Sequence, residues 1–144
     1  MSQEEIKSVL ESYRTVAVVG LSRDLDKASY RVAQYLQSVG YHIIPVNPSA
    51  DEILGETSYK SLLDVPETID IVGIFRPSED VPAIVEEAIT INNRVGSPKV
   101  IWMQLRIVNE DAARRAKEAG FTVVIDRCMM GEHRRLSMDG VLDS

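Results

Sequence analysis

The amino-acid sequence predicts a three-layer α/β/α domain on a five-stranded, doubly wound parallel sheet. Five short runs carry the prediction: TVAVVG at 15–20, YHIIPVN at 41–47, DIVGIF at 70–75, KVIWMQ at 99–104 and FTVVID at 121–126. Each is apolar nearly throughout rather than alternating, so each needs cover on both faces, as in a parallel sheet between helix layers. Segments of helical spacing separate the runs, and right-handed crossovers then wind the sheet. One domain over 1–144 is expected, with its core at about 12–136, because a chain of 144 residues suits a single core.

The elements follow in order. Ser2 and Glu5 have capping-box spacing, and Ile6, Val9 and Leu10 continue at helical intervals, so a helix runs to about Tyr13. The first strand ends at Gly20. Ser29 is a candidate cap for a helix whose apolar face is Val32, Tyr35, Leu36 and Val39, and Gly40 suits its stop. Pro45 in the second run points to strain or to a sheet edge. A short helix is expected at 61–65, before Pro66. After the third strand, Ser78 or Asp80 is the candidate cap for a helix with Val81, Ile84, Val85 and Ala88 inward. After the fourth, Asn109 caps a helix through Ala112, Ala113, Ala116 and Ala119 that closes at Gly120. The tail after Asp126 shows no clear pattern.

Bulk properties narrow the function. The net charge is −6, with 44% hydrophobic and 26% charged residues. An acidic chain lacks the basic surface that nucleic-acid binding needs, although a few placed cations still hold a small anion. No apolar stretch is long enough to span a bilayer. The start, MSQEEIKSVL, does not read as a signal peptide, and the lone Cys128 forms no internal disulfide, so a reducing cytoplasm is the expected location.

Open parallel sheets bind ligands outside the carboxyl ends of their strands. That rule selects the loops at 20–29, 47–50, 75–78, 104–109 and the segment after Asp126. Arg23, Lys27, Arg31, Arg76 and Arg106 lie on or near them. One reading is ordinary surface charge; the sharper one is an anion site for phosphates. Gly20 fits the latter, since a glycine after the first strand lets backbone approach a phosphate at the next helix N-terminus. Ser22 and Ser29 add hydroxyls. The dinucleotide fingerprint is absent: LSRDLDKAS follows Gly20 with no further glycine, and Asn47 stands where an acid would hold the ribose.

At these residues the chain resembles the small CoA-binding domain proteins. It is similar to the CoA-binding domain of the succinyl-CoA synthetase alpha subunit and of NDP-forming acyl-CoA synthetases. The segments that carry the resemblance are VAVVGLS (16–22), SYRVAQYL (29–36), IIPVNP (43–48), LGETSYKSLLDVP (54–66), DIVGIFRPSEDVP (70–82), WMQLRIVNEDAARRAKEAG (102–120) and VVIDRC with EH (123–128, 132–133). The resemblance implies a Rossmann-like fold and coenzyme A as cofactor. It implies Gly20 and Ser22 near the pyrophosphate, with Ser29 and Arg31 from the first crossover helix; Lys27, from the loop cations above, joins the candidate cofactor-binding residues. It further implies Asn47 and Pro48 beside the adenosine, Phe75 and Arg76 at the third strand end, and Gln104 at the fourth. CoA carries roughly −4, which suits clustered arginines. Relatives often have glycine where this chain has Arg106, and MMGEH in the tail also departs from them.

The remaining chemistry-bearing residues have plainer readings. Cys128 reads as an inert buried thiol, the alternative being disulfide exchange with CoA, with Arg127 lowering its pKa. His42 falls at the wrong end of its strand. His133 is either an ordinary surface residue or a group contacting ligand or Glu132. Trp102 and Met103 belong to the core, and Asp24 and Asp26 to loop capping. No metal-ligand spacing and no catalytic triad is visible. Three functional readings follow: a stand-alone, non-catalytic binder of CoA or acyl-CoA, acting alone, as a homo-oligomer or with a ligase partner subunit; an atypical NAD(P)-binding redox protein; and a regulatory or interaction subunit with a vestigial pocket.

Overall fold

The structure is a computed structural model and describes residues 2–138 and 140. Its elements run α1 (Gln3–Ser12), β1 (Thr15–Val19), α2 (Ala28–Ser38), β2 (His42–Val46), β3 (Glu52–Ile53), β4 (Glu56–Thr57), β5 (Ile71–Ile74), α3 (Val81–Val95), β6 (Val100–Met103), α4 (Glu110–Glu118), β7 (Thr122–Val124) and α5 (Met129–Met138). Five strands form one sheet in the order β2-β1-β5-β6-β7, and every pairing in it is parallel. The expected Rossmann-like α/β architecture is present.

Alternate residues of each strand face opposite layers, as the pleat demands. Val16, Val18, Ile43, Ile71, Trp102 and Val124 pack under α1, α2 and α5. Ala17, Ile44, Val72, Ile74, Ile101 and Met103 pack under α3, α4 and a 3-10 turn at Leu62–Asp64. Each fully buried aliphatic side chain contributes roughly 1.5–3 kcal/mol, and Ile43, Ile71, Ile74 and Ile101 are at most 1% exposed. Trp102 and Met103 are fully buried, as expected.

Local signals mostly hold. The Ser2–Glu5 capping box forms, and the Asn109 side chain accepts the Ala112 amide at 2.9 Å. Pro45 lies on edge strand β2, its carbonyl accepting from the Tyr59 amide on the outer side. Other expectations are corrected. Ser29 does not cap α2: the cap position is Lys27, which makes no side-chain cap bond, and Ser29 is buried in the first turn. The helix expected at 61–65 is one 3-10 turn capped by Ser61. Neither Ser78 nor Asp80 caps α3 through its side chain. Asp80 pairs with Arg76 instead, and Ser78 ties to the next loop.

Two elements were not expected. The β3–β4 hairpin turns through Leu54 and Gly55, both with positive φ, the geometry of a tight two-residue turn. Helix α5 buries Met129, His133 and Leu136 at i, i+4 and i+7. The tail hid it because a histidine takes the central apolar position. His133 is 3% exposed and is therefore no surface residue.

Candidate functional site

The chain leaves β1 through α2 to reach β2 on one side, and later enters β5 on the other side. The carboxyl ends of β1 and β5 therefore form the switch point of the sheet, where crossovers diverge and leave a crevice. A cleft of about 610 Å³ lies there, lined among others by Gly20, Ser22, Asn47, Pro48, Lys60, Ser61, Arg76 and Glu87. Five of the ten site residues read from the sequence, namely Gly20, Ser22, Asn47, Pro48 and Arg76, thus share one wall system.

Gly20 has φ +88, and a Cβ there would meet the Phe75 carbonyl oxygen at 2.7 Å and Arg76 Cδ at 3.0 Å. The two strand ends approach so closely that only hydrogen fits between them. The Gly20 amide donates to the Val46 carbonyl at 3.0 Å, so it clamps β1 to β2. Asn47 completes the clamp. Its Nδ2 donates to the Leu21 carbonyl at 2.9 Å, and its Oδ1 accepts the Ser49 amide at 2.7 Å. An aspartate would set a carboxylate oxygen against the Leu21 carbonyl, which gives a local reason for asparagine at this strand end.

The loop from Gly20 to α2 is internally bonded. The Ser22 amide donates to Ser29 Oγ at 3.0 Å, the Asp24 amide to Ser22 Oγ at 3.0 Å, and the Asp26 amide to Asp24 Oδ1 at 2.9 Å. Arg31 folds back, donating to the Asp26 carbonyl at 2.8 Å. Helix α2 has no acidic residue in its first turn and no side-chain cap. In that respect it is opposite to α1 and α4, which have capped, acidic first turns. The partial positive charge of its amino end adds to Lys27 and Arg31, with the carboxylates of Asp24 and Asp26 in the loop just before it.

The other sequence-derived residues stand apart from the cleft lining. Lys27 and Arg31 are exposed near the α2 amino end. Phe75 is half-buried against the α2–α5 layer. Gln104 is 2% exposed and braces the start of α5, its Oε1 accepting the Met129 amide at 3.0 Å. The strand ends also carry both signs of charge: Lys60 and Arg76 share the cleft with Glu79, Asp80 and Glu87. Arg76 pairs with Asp80 at 2.8 Å, and Ser61 Oγ donates to Glu87 at 3.1 Å. Lys60, Ser61 and these carboxylates escaped the sequence reading. The Tyr59 backbone brings the segment in by bridging to Val46 beside β2, and no periodicity in LGETSYKS signals such a bridge.

Cys128 is half-buried rather than buried, and its Sγ accepts the Gly131 amide at 3.4 Å in the first turn of α5. Arg127 pairs with Glu132 at 3.1 Å. His133 Nδ1 bonds the Tyr35 hydroxyl at 2.7 Å, and its ring packs edge-on to Tyr35 and Tyr41. Burial, and then the nearby Arg14 guanidinium, push its pKa below the usual 6.5. His42 sits at the opposite end of the sheet beside Glu67 at 2.8 Å. A second cleft, of about 510 Å³, runs along the free edge of β7 between Glu5, Lys117 and Arg127, away from the switch point. Among the described residues no helix is long and apolar enough to cross a membrane.

Sheet order and the switch-point cleft together define a Rossmann-like α/β domain with a crevice at the carboxyl ends of its strands. The chain belongs to the CoA binding domain family, whose model matches residues 14–134. It is 42% identical over 132 residues to the uncharacterized protein YneT of Bacillus subtilis (strain 168), a match covering 92% of this chain and 94% of that protein. It is 39% identical over 74 residues to an ADP-forming acetate–CoA ligase of Methanocaldococcus jannaschii; this covers 51% of the chain and 10% of the ligase. A hypothetical protein from Pyrococcus horikoshii OT3 superposes with a TM-score of 0.89 at 37% identity, over 95% of this chain and 93% of that one.

Proposed function

We propose that this chain binds coenzyme A or an acyl-CoA at the carboxyl ends of β2, β1 and β5, and performs no chemistry on it. The observation that carries the reading is the amino end of α2. The loop leading into it lines the switch-point cleft at Gly20 and Ser22, and the helix has no side-chain cap and no acid in its first turn. Lys27 at its cap position and the nearby Arg23 are exposed, and neither has an ion-pair partner among the described residues. Uncapped first-turn amides with cations at the same helix end suit a diphosphate. In this arrangement the pyrophosphate sits between the Gly20–Ser22 turn and α2, with Ser29 and Arg31 fixing the loop. Asn47 and Pro48 flank the adenosine, Arg76 reaches a phosphate, and Phe75 and Gln104 shape the strand ends beyond. Glu87 and Ser61 offer hydrogen-bonding groups to the sugar or base.

The M. jannaschii ligase matches this chain over a tenth of its own length, so a role as a module for a partner ligase subunit, or as a holder of CoA in its own right, fits equally. Isothermal titration with CoA, dephospho-CoA and NAD(P)H tests the reading. CoA binds, and dephospho-CoA binds more weakly. Preferential NAD(P)H binding points to a redox protein, and silence with all of them to a vestigial pocket; either result ends the proposal.

A further inference from the structure

We propose that the outer edge of β7 is the interface of a homodimer, in which two copies of this chain join their sheets through antiparallel β7 strands. This inference stands apart from the CoA reading. The two edges of an open sheet are rows of unpaired backbone groups that invite another strand. Here the edges differ. Along β2 the edge is closed: Pro45 sits in the strand, the Tyr59 amide donates to the Pro45 carbonyl at 3.0 Å, and the Asn47 amide donates to the Tyr59 carbonyl at 2.9 Å. Along β7, no strand among the described residues pairs with the outer side. The strand reads Thr122-Val123-Val124, β-branched throughout, without proline and in unbroken register with β6.

The backbone of β7 suits self-pairing. The Thr122 amide donates inward to the Lys99 carbonyl at 3.0 Å. Alternate residues of a strand turn their backbone groups to opposite neighbours, so Val123 directs its N–H and C=O toward the free edge. In an antiparallel ladder, two residues of a hydrogen-bonded pair exchange both N–H···O bonds. Val123 opposite Val123 of a second copy makes such a pair, with a two-fold axis normal to the sheet between them. Phe121 and Ile125 line the same 510 Å³ groove as Val123. In this register Phe121 of each copy neighbours Ile125 of the other, an apolar cross-strand pair.

Charge identifies the occupant as a second copy. Glu5 and Lys117 line one part of the groove and feel each other's charge. Lys117 lies just ahead of β7, its carbonyl accepting the Gly120 amide at 3.0 Å, so this is the amino end of the groove. Arg127 follows β7 and lines the carboxyl end. Glu5 and Arg127 share a layer: Arg127 is held by Glu132 of α5 at 3.1 Å with its side chain 39% exposed, and α5 packs beside α1. Lys117 belongs to α4, on the other face. A two-fold normal to the sheet keeps each layer on its own side and reverses the strand direction. Glu5 of each copy therefore meets Arg127 of the other, giving two unlike pairs per dimer. The joined sheet has its two switch-point clefts facing opposite ways, so both stay open.

Sedimentation velocity on the full chain, from micromolar to millimolar, tests this. Wild type sediments at twice the chain mass, and hydrogen exchange at the Val123 amide is slow in the dimer and quickens on dilution. Glu5→Gln keeps a capping-box acceptor and weakens the dimer about 10-fold, since each substitution counts twice across the two-fold. Glu5→Lys and Arg127→Glu each weaken it about 100-fold. Combined in one chain they restore most of the affinity, because the pairs re-form with their signs exchanged. Thermal scans verify that the variants fold; where a reversal does not, Glu5→Gln decides. A monomer at every concentration, a dimer indifferent to Glu5→Gln or to both reversals, or a double variant no tighter than the singles overturns the proposal. So does a dimer whose slowed amides lie away from β7.

Discussion

Replacing Gly20 with alanine tests the switch-point geometry at its tightest point. A left-handed alanine costs roughly 1–2 kcal/mol. The added methyl also has to displace the Phe75 carbonyl oxygen, only 2.7 Å from its ideal position, together with Arg76 Cδ at 3.0 Å. The arginine end can swing aside; the carbonyl belongs to a strand end and moves only with β5. Overpacking of this kind adds about 1–3 kcal/mol, and the stiffer unfolded chain returns roughly 0.4–1 kcal/mol. The net loss is about 1–4.6 kcal/mol. For a chain of 144 residues, the unfolding entropy near the midpoint is about 0.3 kcal/mol per degree, so the thermal midpoint falls by roughly 3–15 °C. Gly20 and Arg76 line the cleft, so under the proposed function CoA affinity falls with it. Circular dichroism melts and calorimetry read the two effects. A Gly20→Ala protein with the wild-type midpoint and undiminished CoA binding would refute the close approach of β1 and β5 as described.

Further expectations follow from single contacts. Asn47→Asp destabilises by about 1–3 kcal/mol, because it removes the donor to the Leu21 carbonyl; chemical denaturation measures it, and an unchanged midpoint argues against the clamp. Arg76→Ala weakens CoA by about 10–100-fold if the guanidinium meets a phosphate, with Arg76→Lys intermediate, and calorimetric titration decides. His133 has a pKa lowered from 6.5 in the fold, so the native state favours its neutral form. Its contribution is complete above pH 6.5 and is lost as pH falls through the depressed native value. Melting midpoints followed downward from pH 7 should decline less steeply in His133→Gln than in wild type; parallel curves would remove His133 from the acid response.

Much of the fold was legible because its signals are local. The five apolar runs, the Ser2–Glu5 box and the Asn109 cap depend on neighbours within a few residues, and each appears where it was read. Failures came where a tertiary partner overrules local preference. Ser29 has the chemistry of a cap, yet its hydroxyl is recruited by the Ser22 amide across the loop. Asp80 could cap α3, but Arg76 takes its carboxylate. Helix α5 was hidden because His133 occupies a core position, where it bonds the Tyr35 hydroxyl and packs on Tyr41.

The sequence by itself determined the parallel α/β architecture and the edge of the sheet where the cleft lies, because strand burial and chain direction follow from hydrophobic pattern. It also singled out Gly20, Ser22, Asn47, Pro48 and Arg76, which share the cleft. Only the tertiary structure decided what else lines it and how charge is arranged there. Lys60 and Ser61 arrive through a bridge between Tyr59 and Val46, and Glu87 comes from the inner turns of α3. Those placements depend on where crossovers land in space, a long-range property that no window of neighbouring residues encodes.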